Sequence, residues 1–179
     1  MPQRPLEVGR AVAADAPVAA RARLRRATAA DIDVIVPMIN AAYDVTEHDV
    51  FPNTRRCDRQ EITAIVEQIV VAEVDGRVGA CVHIDTSGDA AHYGLLAVDV
   101  SLHRSGLGSM LAQHAEQAAM AAGAQALRIE TVKQAGLIPF YERLGFRVIA
   151  EADGQVWNGG ADWGAAIPWQ MVEMEKTLR

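Results

Sequence analysis

Residues 95–119 read LLAVDVSLHRSGLGSMLAQHAEQAA. A continuously apolar run, as a central strand shows, meets a short polar turn and then a long helical pattern. Two glycines, Gly106 and Gly108, sit where that helix begins. Glycine costs about 1 kcal/mol in a helix relative to alanine, so propensity does not explain them. A helix N-terminus leaves N–H groups without partners and carries the positive end of the helix dipole. Glycine there lets a ligand approach the main chain, and phosphate is the usual occupant. Arg104, Ser105 and Ser109 flank the turn and offer a cation and two hydroxyls. The common phosphate motifs are absent: there is no GxxxxGK[ST], and a dinucleotide fingerprint needs glycine where Leu111 stands.

Outward from this turn, the chain reads as alternating strands and helices. "ARLRRAT" is a first strand, and Thr28 with Asp31 forms a capping-box variant at the start of the helix "AADIDVIVPMINAAY". Ile32, Ile35, Val36 and Ile39 give that helix its apolar stripe, and Pro37 inside it predicts a kink or an early end. "DVTEHDVFPNTRRC" reads as a polar loop or irregular helix, and "DRQEITAIVEQI" as a second helix. "VVAEVDG" and "RVGACVHID" are strands joined at Asp75-Gly76, a hairpin signal. A strand "AHYGLLAVDV" leads into the glycine turn, and its helix ends at Gly123. A strand "ALRIETV", a short helix "AGLIPFYERLG", a strand "FRVIAEA", a long loop "DGQVWNGGADWGAAIP" and a last strand "WQMVEMEKTL" complete the chain. The order β-α-α-β-β-β-α-β-α-β-β implies a mixed α/β sheet with helices on both faces.

Size and composition bound the rest. A chain of 179 residues, half of them hydrophobic, reads as one soluble globular domain. Residues 1–22, rich in Ala, Pro and Arg, read as a flexible arm before a domain at 23–179. Glu7, Asp15 and the lack of serine argue against a transit peptide. A net charge of −6 argues against general nucleic-acid binding and suits a neutral or cationic small molecule. No apolar run approaches the roughly 18 residues of a membrane helix. Neither cysteine has a metal-ligand spacing, so no metal is expected and a reducing cytoplasm fits. Cys81 reads as a core residue, and Cys57, beside two arginines in a polar stretch, as exposed.

Residues 95–119 together with GLIPFYERLGFRV at 136–148 resemble the GNAT acetyltransferases (Gcn5-related N-acetyltransferases). That family carries [Q/R]-x-x-G-x-[G/A] after an apolar strand of the LAVDP kind, followed by a YExLGF segment. Here His103 replaces the Gln or Arg, Val100 the frequent proline, and Gln134 the asparagine often found before the YExLGF helix. The resemblance covers roughly residues 23–179. It implies a GNAT (α+β) fold: a mixed, mostly antiparallel sheet of six to seven strands with a β-bulge.

It also implies acetyl-CoA as co-substrate, without a metal. The pyrophosphate would lie on the main chain of Arg104, Ser105, Gly106, Leu107, Gly108 and Ser109. Leu96, Ala97, Val98 and Val100 would pair with the pantetheine arm, with Gln134 and Phe140 alongside. Tyr141 falls on the family's general acid. Glu130 resembles the base of some members, with His83, Asp85, His92 and Tyr93 as other candidates. The acceptor site would be built from residues 43–53 and 153–169, with Tyr43, Trp157, Asp162 and Trp163 as contacts. Asp153 and Trp169 belong to the same segment, whose tryptophans either meet a cationic amine or only anchor the loop. The leading expectation is transfer to a small-molecule amine, with no nucleic acid or membrane as partner and a homodimer left open. The alternatives are a non-catalytic acyl-CoA sensor and a protein or peptide acetyltransferase.

Overall fold

The computed structural model describes residues 16–161 and 163–179. Asp162 and residues 1–15 of the expected arm lie outside these. Seven strands form one sheet: β1 (Arg23–Arg26), β2 (Ile69–Val74), β3 (Arg77–Asp85), β4 (Ala91–Val98), β5 (Ala126–Val132), β6 (Arg147–Asp153) and β7 (Gln170–Thr177). Their spatial order is β1-β2-β3-β4-β5-β7-β6, with β4–β5 parallel and every other pair antiparallel. The helices are α1 (Val18–Arg21), α2 (Ile32–Glu47), α3 (Arg59–Ile65), α4 (Leu107–Ala121), α5 (Ile138–Arg143) and α6 (Gly154–Trp157). The sheet class, its strand number and the helices on two faces agree with the sequence reading.

Strand alternation divides the core into layers. Val71, Cys81 and Ala97 face α2 and α3, where Ile35, Ile39 and Ile62 cover them. Val82, Leu127 and Ile129 face the other way, against Leu107, Leu111 and Ala115 of α4 and Tyr141 of α5. The turn α1, at the end of the expected arm, puts Val18 and Ala19 against this second layer.

At the entry to α2, Thr28 and Asp31 form the capping box that the sequence predicts. Arg25 of β1 grips both oxygens of Asp31, at 2.8 and 2.9 Å. This pair holds the Asp31 carboxyl well below the usual carboxylate range. Pro37 does not end α2, which runs on to Glu47. Ile35, Met38, Ile39 and Ala42 are all buried on its inner face, so packing outweighs the hydrogen bond that proline removes. Tyr43 and Glu47 therefore share one helical face, four residues apart.

Cys57 is buried, contrary to the sequence reading. Asn40 of α2 explains it. Its amide donates to the Cys57 carbonyl at 3.0 Å, and its Oδ1 accepts from the N–H groups of Arg56 and Cys57 at 2.7 and 3.2 Å. The chain is drawn inward, and burial pushes the Cys57 thiol up to about 11.

Two irregularities in β4 open the sheet. Its register against β3 shifts between Cys81 and His83, because Cys81 faces Ala97 while His83 faces Gly94. Leu95 and Leu96 thus oppose one residue, a β-bulge, with Leu95 in the left-handed region at φ 48°. On its other side β4 pairs with β5 only through Ala91↔Leu127 and His92↔Arg128. Beyond these pairs the strands part.

Candidate functional site

A cavity of about 620 Å³ fills the gap between β4 and β5. Leu96 and Val98 of the bulged strand form one wall, while Ala97 turns into the α2–α3 layer. Antiparallel residues alternate in pairing, and the Asp99 N–H bonds Gly79 on the β3 side at 2.9 Å. Val98 therefore directs its main-chain groups away from β3. Its carbonyl accepts Nε2 of His103 at 3.1 Å, which assigns the proton to that ring nitrogen. The Val98 N–H faces the same open edge.

The glycine turn closes one end of the cavity. All six residues from Arg104 to Ser109 line it. Arg104 and Gly106 both take left-handed conformations, at φ 62° and 87°. Glycine accepts this freely, whereas Arg104 is held there by the surrounding structure. The first helical bond runs from Met110 N–H to the Gly106 carbonyl at 3.0 Å. The N–H groups of Leu107, Gly108 and Ser109 thus lack acceptors within the helix. The Ser105 hydroxyl is buried and has no partner. Three free main-chain donors, an orphaned hydroxyl, a guanidinium and a helix dipole suit a diphosphate.

Tyr141 and Phe140 of α5 line the middle of the cavity. Tyr141 is buried in an aromatic cluster, with ring centroids 5.0 Å from Phe140, 6.0 Å from Phe146 and 6.3 Å from Tyr93. Burial, followed by the nearby Tyr43 and Glu47, raises its pKa, so Tyr141 keeps its proton at neutral pH. Glu130 of β5 lines the same space, and burial together with Glu173 raises its pKa.

Tyr43, Trp157 and Trp163 line the remaining wall. Beyond them a second cavity of about 470 Å³ shares Tyr43, Glu47, Arg56, Val132 and Trp163 with the first. The 154–169 loop is tied to the segment after α2: Thr54 donates to the Trp163 carbonyl at 2.7 Å, and the Ala166 N–H to the Val50 carbonyl at 2.7 Å. Trp169 is the anchor. It is buried, stacks on Trp163 at 5.4 Å and lies so close to Gly154 that a Cβ there would overlap its ring at 2.1 Å. Trp163, exposed by 36%, remains open to the cavities. The tryptophans thus divide between anchoring and lining.

Other expected residues lie elsewhere. The Gln134 amide clamps the loop, donating to the Pro168 carbonyl and accepting from the Gln170 N–H. Val100 is exposed on the turn after β4 and does not line the cavity. His83 bonds Gln68, Asp85 caps Ser87, and Tyr93 is buried in the α4 layer. None of the three lines the cavity, and neither does His92. Two residues escaped the sequence reading. Glu47 escaped because α2 was expected to end before it, although its i, i+4 spacing from Tyr43 was visible. Arg56 carries no local signal; Asn40 places it.

Among the described residues there is no cluster of His, Cys, Asp and Glu that could hold a metal ion, and no helix is long and apolar enough to cross a membrane. Residues 66–148 match the acetyltransferase (GNAT) domain family. No curated protein sequence matches the chain. Solved structures share the fold. N-acetylglutamate synthase from Neisseria gonorrhoeae, complexed with coenzyme A and N-acetylglutamate, aligns over 88% of this chain at 17% identity and a TM-score of 0.68; the alignment covers 35% of that chain. YncA from Salmonella typhimurium, with its cofactor acetyl-CoA, aligns over 88% of this chain and 94% of its own, at 22% identity and a TM-score of 0.69. Ribosomal-protein-alanine N-acetyltransferase from Brucella melitensis aligns over 87% and 99%, at 19% identity and a TM-score of 0.69.

Proposed function

We propose that this chain, which belongs to the GNAT N-acetyltransferases, moves the acetyl group of acetyl-CoA to the amine of a small molecule. One observation carries the reading: the parting of β4 from β5 brings the glycine turn, Tyr141, Glu130 and the Tyr43–Trp163 wall into one cavity. The acceptor names of the similar structures include both an amino acid and a protein, so the small molecule rests on the walls of this chain's own cavity.

The thioester, when bound, supplies the acetyl group and a thiol leaving group. Ser105 and the N–H groups of Leu107, Gly108 and Ser109 bind the diphosphate. The open edge of β4 hydrogen-bonds the amide arm as a further strand would. The Val98 N–H donates to the carbonyl oxygen and stabilises the charge that grows there. An amine arrives as an ammonium at neutral pH. Glu130 takes one proton, and the neutral nitrogen forms the C–N bond as the C–S bond breaks. Tyr141 gives its proton to the departing sulfur and regains one from the nitrogen. The raised pKa values suit both roles: Tyr141 stays protonated, and Glu130 is a stronger base than an ordinary glutamate.

The test is thiol release from acetyl-CoA with a panel of small amines, polyamines, aminoglycosides and peptides. Turnover of small amines supports the reading. Turnover of peptides alone moves the acceptor to a protein, and tight coenzyme binding without turnover indicates a sensor.

A further inference from the structure

The second cavity holds more charge than a plain amine needs. Asp44, Glu47, Glu61, Arg55 and Arg56 all line it. Asp44 is paired with His48 at 2.9 Å. Glu61 accepts the Asp58 N–H at 2.9 Å in the capping box of α3. Arg55 and Arg56 form no ion pair among the described residues. The same holds for Glu47, which burial raises and the nearby Arg56 partly restores. Asp44 and Glu61 thus have partners of their own, while Glu47, Arg55 and Arg56 line, without an ion pair, a cavity that continues the transfer cleft.

Arg56 is the better placed of the two cations. Its main chain is fixed to α2 by the Asn40 clamp, and its guanidinium lies over the Tyr43 ring, 4.8 Å from the centroid. Tyr43 thus holds this guanidinium in place, and a guanidinium carries five N–H donors in a fork that can bind a carboxylate through two parallel hydrogen bonds. Phe51, Val132 and Trp163 supply apolar wall beside it.

We propose that the acceptor is an α-amino acid with an apolar side chain. Its carboxylate binds Arg56, its side chain lies against Phe51 and Trp163, and its amine reaches the space that Glu47 shares with Tyr141. A cavity of about 470 Å³ is within the range of small-ligand sites. This proposal rests on the transferase reading above and narrows its acceptor.

The experiment compares L-leucine, L-methionine and L-phenylalanine with their carboxamides as acceptors, by thiol release from acetyl-CoA. Acid and amide differ in the carboxylate, and the amide's amine is the less basic, which weights the comparison against the proposal. The expected kcat/KM is at least about tenfold higher for the acid, the scale of a hydrogen-bonded charge. Arg56→Gln brings the acid-to-amide ratio near one, and Arg56→Lys, which keeps the charge but loses the fork, recovers part of it. A ratio at or below one in the native protein, or one unchanged by Arg56→Gln, overturns the proposal. Calorimetry with N-acetyl-L-leucine and N-acetyl-L-leucinamide, in the presence of coenzyme A, reads the same preference without turnover. Turnover without acid preference removes the carboxylate site and leaves the transferase. Acid-selective product binding with no turnover of any acceptor does the reverse.

Discussion

The two ends of the cleft are built on different principles. The end proposed for the coenzyme is main chain: the bulged edge of β4 and the first turn of α4 lie within residues 95–109 and offer N–H groups. The end proposed for the acceptor is side chains from distant segments, joined by contacts such as Thr54 to Trp163, 109 residues apart. A site made of backbone tolerates exchange of side chains but not added bulk. A site made of side chains changes its ligand when one of them changes, and keeps its fold.

The comparison breaks most readily at Gly108. A Cβ there would meet Phe140 and Val98 at 3.8 Å, an ordinary contact, so the site accepts a side chain without refolding. Gly108→Glu then sends a carboxylate to the helix N-terminus where the diphosphate should lie. Acetyl-CoA affinity measured by calorimetry is expected to fall more than 100-fold, about 2.8 kcal/mol at 1.4 kcal/mol per tenfold. Unchanged affinity in a folded variant would remove the diphosphate from this turn.

A smaller effect is expected at Glu130, between the two ends. Its raised pKa places the acid limb of the kcat/KM profile above the ordinary glutamate value of 4.5, with the rate falling as pH drops through it. Glu130→Gln should lower kcat/KM about 100-fold and flatten that limb. A limb that persists unchanged points to Glu47 or to water as the base.

Trp163→Ala sharpens the contrast with the smallest effect. The ring lines both cavities, while Trp169 beneath it holds the loop. The amine KM should rise about tenfold, the loss of one partly exposed aromatic contact, with the acetyl-CoA KM within twofold. The opposite split would place the loop on the coenzyme side.

The same division explains what the sequence reveals. The apolar strand, the glycine spacing and the capping box of α2 are local signals, and all three recur in the structure. Leu95 in the left-handed region is not legible, because leucine has no preference for it; the bulge is imposed by pairing with β3. The position of β7 between β5 and β6 depends on long-range pairing, which periodicity does not encode. The run of α2 past Pro37 and the burial of Cys57 follow from Asn40 and the α2 packing face, which bring together residues 17 positions apart. Arg56 and Glu47 come to the cleft for the same reason. Gln134, read toward the coenzyme, is taken by the loop instead.

The central claim is that acetyl transfer runs through a protonated Tyr141 in this cleft. Tyr141→Phe keeps the ring among Phe140, Phe146 and Tyr93 and removes only the hydroxyl. A coenzyme thiol has a pKa near that of an ordinary thiol, about 8.5, so its departure needs modest help. Measured with saturating acetyl-CoA and the best amine, kcat should fall about 100- to 1,000-fold, with acetyl-CoA affinity and melting temperature nearly unchanged. Full kcat in a folded Tyr141→Phe variant would contradict the account and leave Tyr141 as a packing residue.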